Sequence, residues 1–335
     1  MKAVRLHGIG DLRVEAIDAP PPPAGDQVLV RVTAAGICGS DLHNFRTGQW
    51  MTRVPTTPGH EVTGLVEAVG PDVAHLQAGD AVVADSRVWC GACDPCQDGR
   101  HHLCEAIGFV GEVCDGGFAE RMILPERLLH RVDPGLDSRV AVMAEPLAVA
   151  LHTIRRLAPQ AGRPALVVGC GTIGGLAALL LSRLHDGPIL VADRNAARVA
   201  LVARVAGAIA VELDPTSLKA AAGGRAILHA VEATGSTAAL RTLMNSLDPG
   251  ATLALVGIVH GPLSIDPNWF VEREMSFVGC HAFNTELTDA IALLGPLAPK
   301  LLDLIDAEIG LEDVPAAYAR SVAGATTGLK IIVRP

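Results

Sequence analysis

Aromatic side chains are scarce in this sequence. Three Trp, one Tyr and six Phe make up 3% of a 335-residue chain that is 50% hydrophobic, so Ala, Val and Leu must do the packing. Excess positive charge is also missing. Lys and Arg number 27 against 36 Asp and Glu, a net charge of −9, which argues against nucleic acid or an anionic membrane as a partner. Gly, Pro or a charged residue breaks every apolar run before membrane-spanning length. The opening Met1-Lys2-Ala3-Val4-Arg5-Leu6-His7 lacks the apolar stretch of a secretory signal. These absences lead to the expectation of a soluble, cytoplasmic protein. A chain of 335 residues exceeds one ordinary core, so two domains are expected.

In that setting the eight cysteines call for a reason other than disulfide formation. Four of them share one loop: Cys90-Gly-Ala-Cys93-Asp-Pro-Cys96, then Cys104. Four thiolates so close match one tetrahedral Zn²⁺ and leave no open position, so the site should be structural. It would brace a polar, Gly-containing loop unable to pack by itself. His101 and His102 are near enough to ligate in principle, but with four cysteines present they read as solvated loop residues. Cys114, Cys170 and Cys280 have no evident partner and are expected to be small buried residues.

Up to about residue 145 the chain is rich in Gly, Pro and short β-branched runs, such as Val28-Leu29-Val30-Arg31-Val32, separated by turn signals. This predicts an irregular β-rich domain. The pattern changes near Glu145-Pro146. Buried strands are predicted at 165–168, 189–192, 209–211, 230–233 and 252–256, with helices over 147–157, 173–185 and 196–205 among them. Strands alternating with helices imply an α/β fold with a parallel, doubly wound sheet. An apolar strand at 275–280, a helix at 287–294 and a strand at 329–333 complete the reading.

Gly169-Cys170-Gly171-Thr172-Ile173-Gly174 fits G-x-G-x-x-G, follows a buried strand and opens a helix. In that context the glycines permit a tight turn, close approach of a pyrophosphate and close helix–strand packing. Asp193 ends the next strand, where a carboxylate accepts ribose hydroxyls and repels a 2′-phosphate, so NAD is favoured over NADP. Arg194 is adjacent and could accept that phosphate. Arg198 joins it among the expected cofactor-binding residues.

A second, mixed set is spread along the chain: Cys38, His60 and Glu145. Singly, each has an ordinary structural explanation. Beside a dinucleotide site and a zinc loop, they suggest a catalytic zinc with a position open to a substrate oxygen.

Here the whole chain resembles the zinc-dependent medium-chain dehydrogenases, the alcohol and polyol dehydrogenase group. The motifs are Cys38-Gly39-Ser40-Asp41-Leu42-His43, Gly59-His60-Glu61-x-x-Gly64-x5-Gly70, the cysteine loop, Glu145-Pro146-Leu147-Ala148 and the glycine turn. The resemblance implies a GroES-like catalytic domain formed by residues 1–146 and 285–335, carrying the structural zinc loop 88–105. It implies an NAD-binding Rossmann domain at 147–284. Cys38 and His60 would be catalytic zinc ligands. Of Glu61 and Glu145, one would ligate while the other holds the zinc-bound water. Asp41 would orient His60. Ser40 would touch the substrate oxygen, and His43 would form the surface end of a proton relay.

The implied cofactors are two Zn²⁺ per chain and NAD. The implied reaction moves a hydride from a secondary alcohol (a polyol, vicinal diol or sugar acid) to NAD through a zinc-bound alkoxide. Threonine or a simple alcohol is the alternative substrate, and a homodimer or homotetramer the expected assembly. Phe45, Trp50, Phe109 and Phe118 are expected near the substrate, either lining a cleft or as ordinary packing. His281 stands close to where sorbitol-type members carry an arginine, which counts against a close sorbitol match.

Overall fold

In the computed structural model, residues 1–259 and 261–335 are described. They form two compact units, Met1–Glu145 with Leu287–Pro335, and Pro146–Glu286.

The second unit is built on a six-stranded sheet. Its spatial order is Ile209–Ala210, Ile189–Ala192, Ala165–Val168, His229–Glu232, Thr252–Leu255 and Ser276–Gly279, and every pairing is parallel. The order runs outward in both directions from the first strand of the unit, as in a dinucleotide-binding doubly wound sheet. Parallel strands covered on both faces read as unbroken apolar runs. Accordingly Ala165–Val168 and Ile189–Ala192 are buried at every position. The helix Thr172–Leu184 presses Leu176, Leu179 and Leu180 fully out of solvent. Each such side chain contributes about 1.5–3 kcal/mol. The expected α/β architecture is therefore found, with element ends moved by one or two residues.

The first unit centres on a mostly antiparallel seven-stranded sheet. Its order is Ile305–Gly310, Lys330–Arg334, Gln27–Gly36, Glu61–Val69, Ala81–Ala84 and Leu129–Arg131, with Arg121–Pro125 also pairing to Gln27–Gly36. The C-terminal strand thus returns to the N-terminal sheet: Ile332 pairs with Gly36, and Val333 with Ala35. Two register shifts bend the long Gln27–Gly36 and Glu61–Val69 pair. Its core is aliphatic apart from Phe118 and Tyr318, whose rings lie 6.4 Å apart with Phe45 5.4 Å from the tyrosine. Phe118 is fully buried core; of the two roles considered for it, packing is the one the structure shows.

Two elements differ from expectation. The helix read as 287–294 is Glu286–Leu302 and runs through Pro296 and Pro299. Each proline removes a backbone donor and would normally end the helix. Here Leu294, Leu297 and Leu301 stay buried on one face and carry it onward. The segment Gly39–Thr47, read only as a motif, is a helix. The Asp41 carboxylate accepts from the Cys38 N–H at 2.9 Å, which starts it. Among the described residues, no helix is long and apolar enough to cross a membrane.

Candidate active site

Three elements of the first unit converge. The strand Gln27–Gly36 leads to Cys38 at the start of the helix Gly39–Thr47, and the strand Glu61–Val69 begins directly after His60. Gly36 pairs with Glu61 across the two strands. A Cβ on Gly36 would overlap the Glu61 carboxylate, so glycine there lets that carboxylate turn toward Cys38. One ligand atom each from Cys38, His60 and Glu61 lies within 4.8 Å of the others. Sulfur, imidazole nitrogen and carboxylate oxygen at this spacing fit a zinc ion.

The surroundings favour a cation. Burial would lower the His60 pKa, but the negative Asp41 and Cys38 beside it hold it well above its ordinary value. The Asp41 carboxylate is 3.5 Å from His60 Nδ1, the position of an orienting acid. The other ring nitrogen, Nε2, is 3.5 Å from the Ser40 hydroxyl. Ser40 and His43 are three residues apart on one helix and therefore share a face. His43, expected at the surface, is buried. Its ring is 4.4 Å from that of Trp50, and its Nε2 lies 2.9 Å from Gln49 Oε1 and 3.2 Å from the Thr47 hydroxyl. The helix turns this residue inward, against those neighbours rather than toward solvent.

Glu145 stands outside the close three-ligand set. It accepts a 2.7 Å hydrogen bond from Ser86, and burial pushes its carboxyl up to about 7, with His60 opposing. The structure therefore brings Glu61, rather than Glu145, to Cys38 and His60. Sequence reasoning missed two partners here. One is Ser86. The other is Lys330, whose ammonium is fully buried 2.7 Å from both Glu61 oxygens and 3.0 Å from the Ile37 carbonyl. The available signal was a lone cation inside the apolar run Leu329-Lys330-Ile331-Ile332-Val333, since a buried charge needs a partner.

The cysteine loop forms the second set. All four sulfurs lie within 4.8 Å of one another, and no disulfide is present among the described residues. A tetrahedral ion with Zn–S near 2.3 Å requires sulfur–sulfur edges of roughly 3.8 Å. Cys93–Cys104 is 3.8 Å and Cys90–Cys104 is 3.5 Å. N–H groups of Ala92 and Cys93 donate to the Cys90 sulfur and hold its thiol down at about 6, while burial pushes Cys96 up to about 12. His101 stacks on Trp89 at 4.6 Å, and Arg127 lies 4.5 Å from that indole. His101 is thus part of the loop's packing rather than a solvated residue. Cys170 is buried as expected, whereas Cys114 and Cys280 are only half-buried.

In the second unit the glycine turn joins the strand Ala165–Val168 to the helix Thr172–Leu184. Gly169 has φ 103, and a Cβ on Gly174 would collide with the Gly169 carbonyl. Gly171 is the helix N-cap and offers no side chain to cap it. That helix start, with Thr172 and Ile173 in its first turn, suits a pyrophosphate. Asp193 accepts from the Cys170 N–H at 2.6 Å and the Asn195 N–H at 2.8 Å. A carboxylate has about four acceptor positions, so two remain for ribose hydroxyls. Arg194 is exposed and Arg198 half-buried on the following helix.

The family models agree with this geometry. Residues 24–134 match the alcohol dehydrogenase GroES-like domain, and residues 173–295 match the zinc-binding dehydrogenase domain. L-galactonate-5-dehydrogenase of Escherichia coli (strain K12) is 32% identical over 77% of each chain. The chain belongs to the zinc-binding dehydrogenases. It is also similar to the sorbitol dehydrogenase of Bacillus subtilis (strain 168), at 27% identity over 100% of this chain and 97% of that one. A zinc-binding dehydrogenase of Sinorhizobium meliloti 1021, solved with NADP, superposes with a TM-score of 0.91 at 28% identity, covering 100% and 99% of the two chains. This zinc-binding dehydrogenase is an NAD-dependent zinc alcohol dehydrogenase, and its donor sets and glycine turn fit zinc and the dinucleotide.

Proposed function

We propose that this dehydrogenase oxidises a secondary carbinol of a polyol, vicinal diol or sugar acid and reduces NAD. The observation that carries the reading is the Cys38, His60 and Glu61 set, closed to within 4.8 Å with the Ser40 hydroxyl 3.5 Å from His60. When bound, zinc would acidify an alcohol oxygen and NAD would accept the hydride. Sorbitol and L-galactonate, named in two relatives, both carry secondary carbinols on a polyhydroxylated chain.

The chain's own residues supply the rest. Cys38, His60 and Glu61 hold the ion. Asp41 keeps the His60 ring in place by facing its Nδ1. Ser40 accepts the proton of the substrate hydroxyl, and His43, on the same helix face, is the base of the relay, with Gln49 Oε1 and the Thr47 hydroxyl within hydrogen-bond distance of its Nε2. Lys330 offsets the Glu61 charge so that the site does not become too negative for a hydroxyl to lose its proton gradually. Glu145, anchored by Ser86, is the reserve carboxylate beside the ion. The cysteine loop holds a structural zinc and takes no part in the reaction.

The test is NADH formation by the zinc-loaded protein against sorbitol, 2,3-butanediol, 2-butanol, L-galactonate and L-threonine, read at 340 nm. The reading expects turnover with at least one polyhydroxylated substrate and none after Ser40→Ala beyond roughly 1% of the starting rate. Absence of NADH formation across the whole panel would overturn it.

A further inference from the structure

One buried acid in the second unit has no assigned part. Glu232 closes the strand His229–Glu232 and is fully buried. It pairs with Val168 on one side and with Leu255 on the other, each the last residue of its own strand. The carboxylate turns past the strand end into the loop that follows. Its Oε1 accepts from the Thr234 N–H at 2.7 Å, from the Gly235 N–H at 3.1 Å and from the Thr234 hydroxyl. All three donors are neutral. Oε2 is buried without a hydrogen-bond partner among the described residues, and none of them forms an ion pair with Glu232. The charge has no room to move away. The Val256 and Gly257 N–H groups both donate to the Glu232 carbonyl, at 3.0 and 3.1 Å, and a Cβ on Gly257 would lie 2.6 Å from Oε2. A Cβ on Gly169 would lie 2.7 Å from the Ala233 carbonyl carbon, so the glycine turn and the loop after Glu232 pass in close contact.

A buried charge without a cation is costly, and its field is screened far less than at a surface. Its position in the sheet gives that field a target. The strand order reverses between Ala165–Val168 and His229–Glu232, and a dinucleotide lies across the carboxyl ends of the strands at such a point. The pyrophosphate belongs at the glycine turn after Ala165–Val168, and ribose hydroxyls at Asp193, after Ile189–Ala192. The nicotinamide half then falls on the opposite side, over the ends of His229–Glu232 and Thr252–Leu255. The nicotinamide ring is a cation when oxidised and neutral once it has taken the hydride.

We propose that Glu232 is a fixed negative charge under the nicotinamide half of the crevice, which raises the affinity for NAD relative to NADH and so favours the oxidised cofactor at the start of a turnover and loosens the reduced one at its end. It acts through its field and not by contact, and it determines specificity for the oxidation state of the cofactor. The inference uses the cofactor and not the identity of the alcohol, so it stands apart from the substrate reading above.

The test is cofactor binding to the zinc-loaded full chain, with no alcohol present. NADH is titrated by its fluorescence, and NAD by displacement of NADH. The readout is the NAD dissociation constant divided by that of NADH, a ratio insensitive to partial loss of folded protein. Glu232→Gln, close in shape to the natural residue, raises the ratio roughly tenfold by weakening NAD, while NADH binding changes by less than about twofold. Glu232→Asp keeps the charge and leaves the ratio within about twofold of the wild type. A merely structural tether would behave differently: its loss would loosen the 234–236 loop and weaken both cofactors alike, leaving the ratio where it was. Glu232→Ser also removes the charge, with a hydroxyl that can still meet the Thr234 N–H, and it carries the test if the glutamine variant does not fold. An unchanged ratio in a folded neutral variant overturns the assignment, as does a shift in Glu232→Asp as large as that of the neutral variants.

Discussion

The two candidate metal sets of the first unit differ in how they are put together. The cysteine loop draws its sulfurs from a span in which Cys90 and Cys104 are only 14 positions apart. The other set takes Cys38 from a helix start and His60 and Glu61 from a strand start, and its counter-ion Lys330 is 269 positions from Glu61. The loop is specified by its own spacing, and an ion bound there would brace it. The distributed set needs the sheet to be folded first, and the ion then finds ligands already held by strands. Ligands on a pre-built scaffold can afford an open position, so the chemistry belongs with them.

The sharpest way to break this contrast is at Lys330. Lys330→Met leaves the buried Glu61 carboxylate without its partner, which should cost about 3–5 kcal/mol. Thermal melting should show the loss, and it should be largely recovered in Lys330→Met with Glu61→Gln, where no charge is stranded. An unchanged melting temperature in the single variant would mean that the distributed set does not depend on the returning C-terminal strand.

A smaller effect is expected in the second unit, whose site is local in the manner of the cysteine loop. Asp193→Ser removes the acceptor for ribose hydroxyls and the repulsion of a 2′-phosphate. The KM for NAD should rise about tenfold and the preference over NADP should narrow. Titration of the two cofactors at fixed alcohol checks this, and an unaltered preference would remove Asp193 from the discrimination.

The smallest effect concerns Glu286, also in the second unit. Burial pushes its carboxyl up, but His152 at 3.2 Å and the Asn284 N–H at 2.6 Å outweigh this and bring it down to about 2. The folded value lies below the unfolded value of 4.5. The stabilisation is therefore complete above pH 4.5 and is lost as the pH falls toward 2. Glu286→Gln should lower the melting temperature at pH 7 by roughly 2–4 °C, and the difference from wild type should shrink on acidification. A difference that stays constant with pH would show that charge is not its source.

The same contrast explains what could be read from the sequence. The parallel sheet was legible because fully buried strands such as Ala165–Val168 are continuous apolar runs bounded by turn signals. The zinc loop and the glycine turn were legible because each is complete within a short window. Cys38 and His60 were singled out, with Glu145, because they occur beside a dinucleotide site and a zinc loop; Glu61 was named through family resemblance, and Lys330 was missed because no spacing connects it to the others. The choice between Glu61 and Glu145 depended on which side chain Gly36 leaves room for, a tertiary fact. The inward turn of His43 depended on a helix whose motif suggested ligands rather than a face.

The most direct measurement is zinc content per chain together with the rate of NADH formation and the melting temperature for Cys38→Ser and Cys96→Ser, side by side. The account predicts that each variant loses about one of two zinc ions. Cys38→Ser should fall at least about a thousandfold in rate with little change in melting, and Cys96→Ser should melt earlier while its folded fraction keeps turning over. A Cys38→Ser protein that retains both zinc ions and the wild-type rate would contradict it.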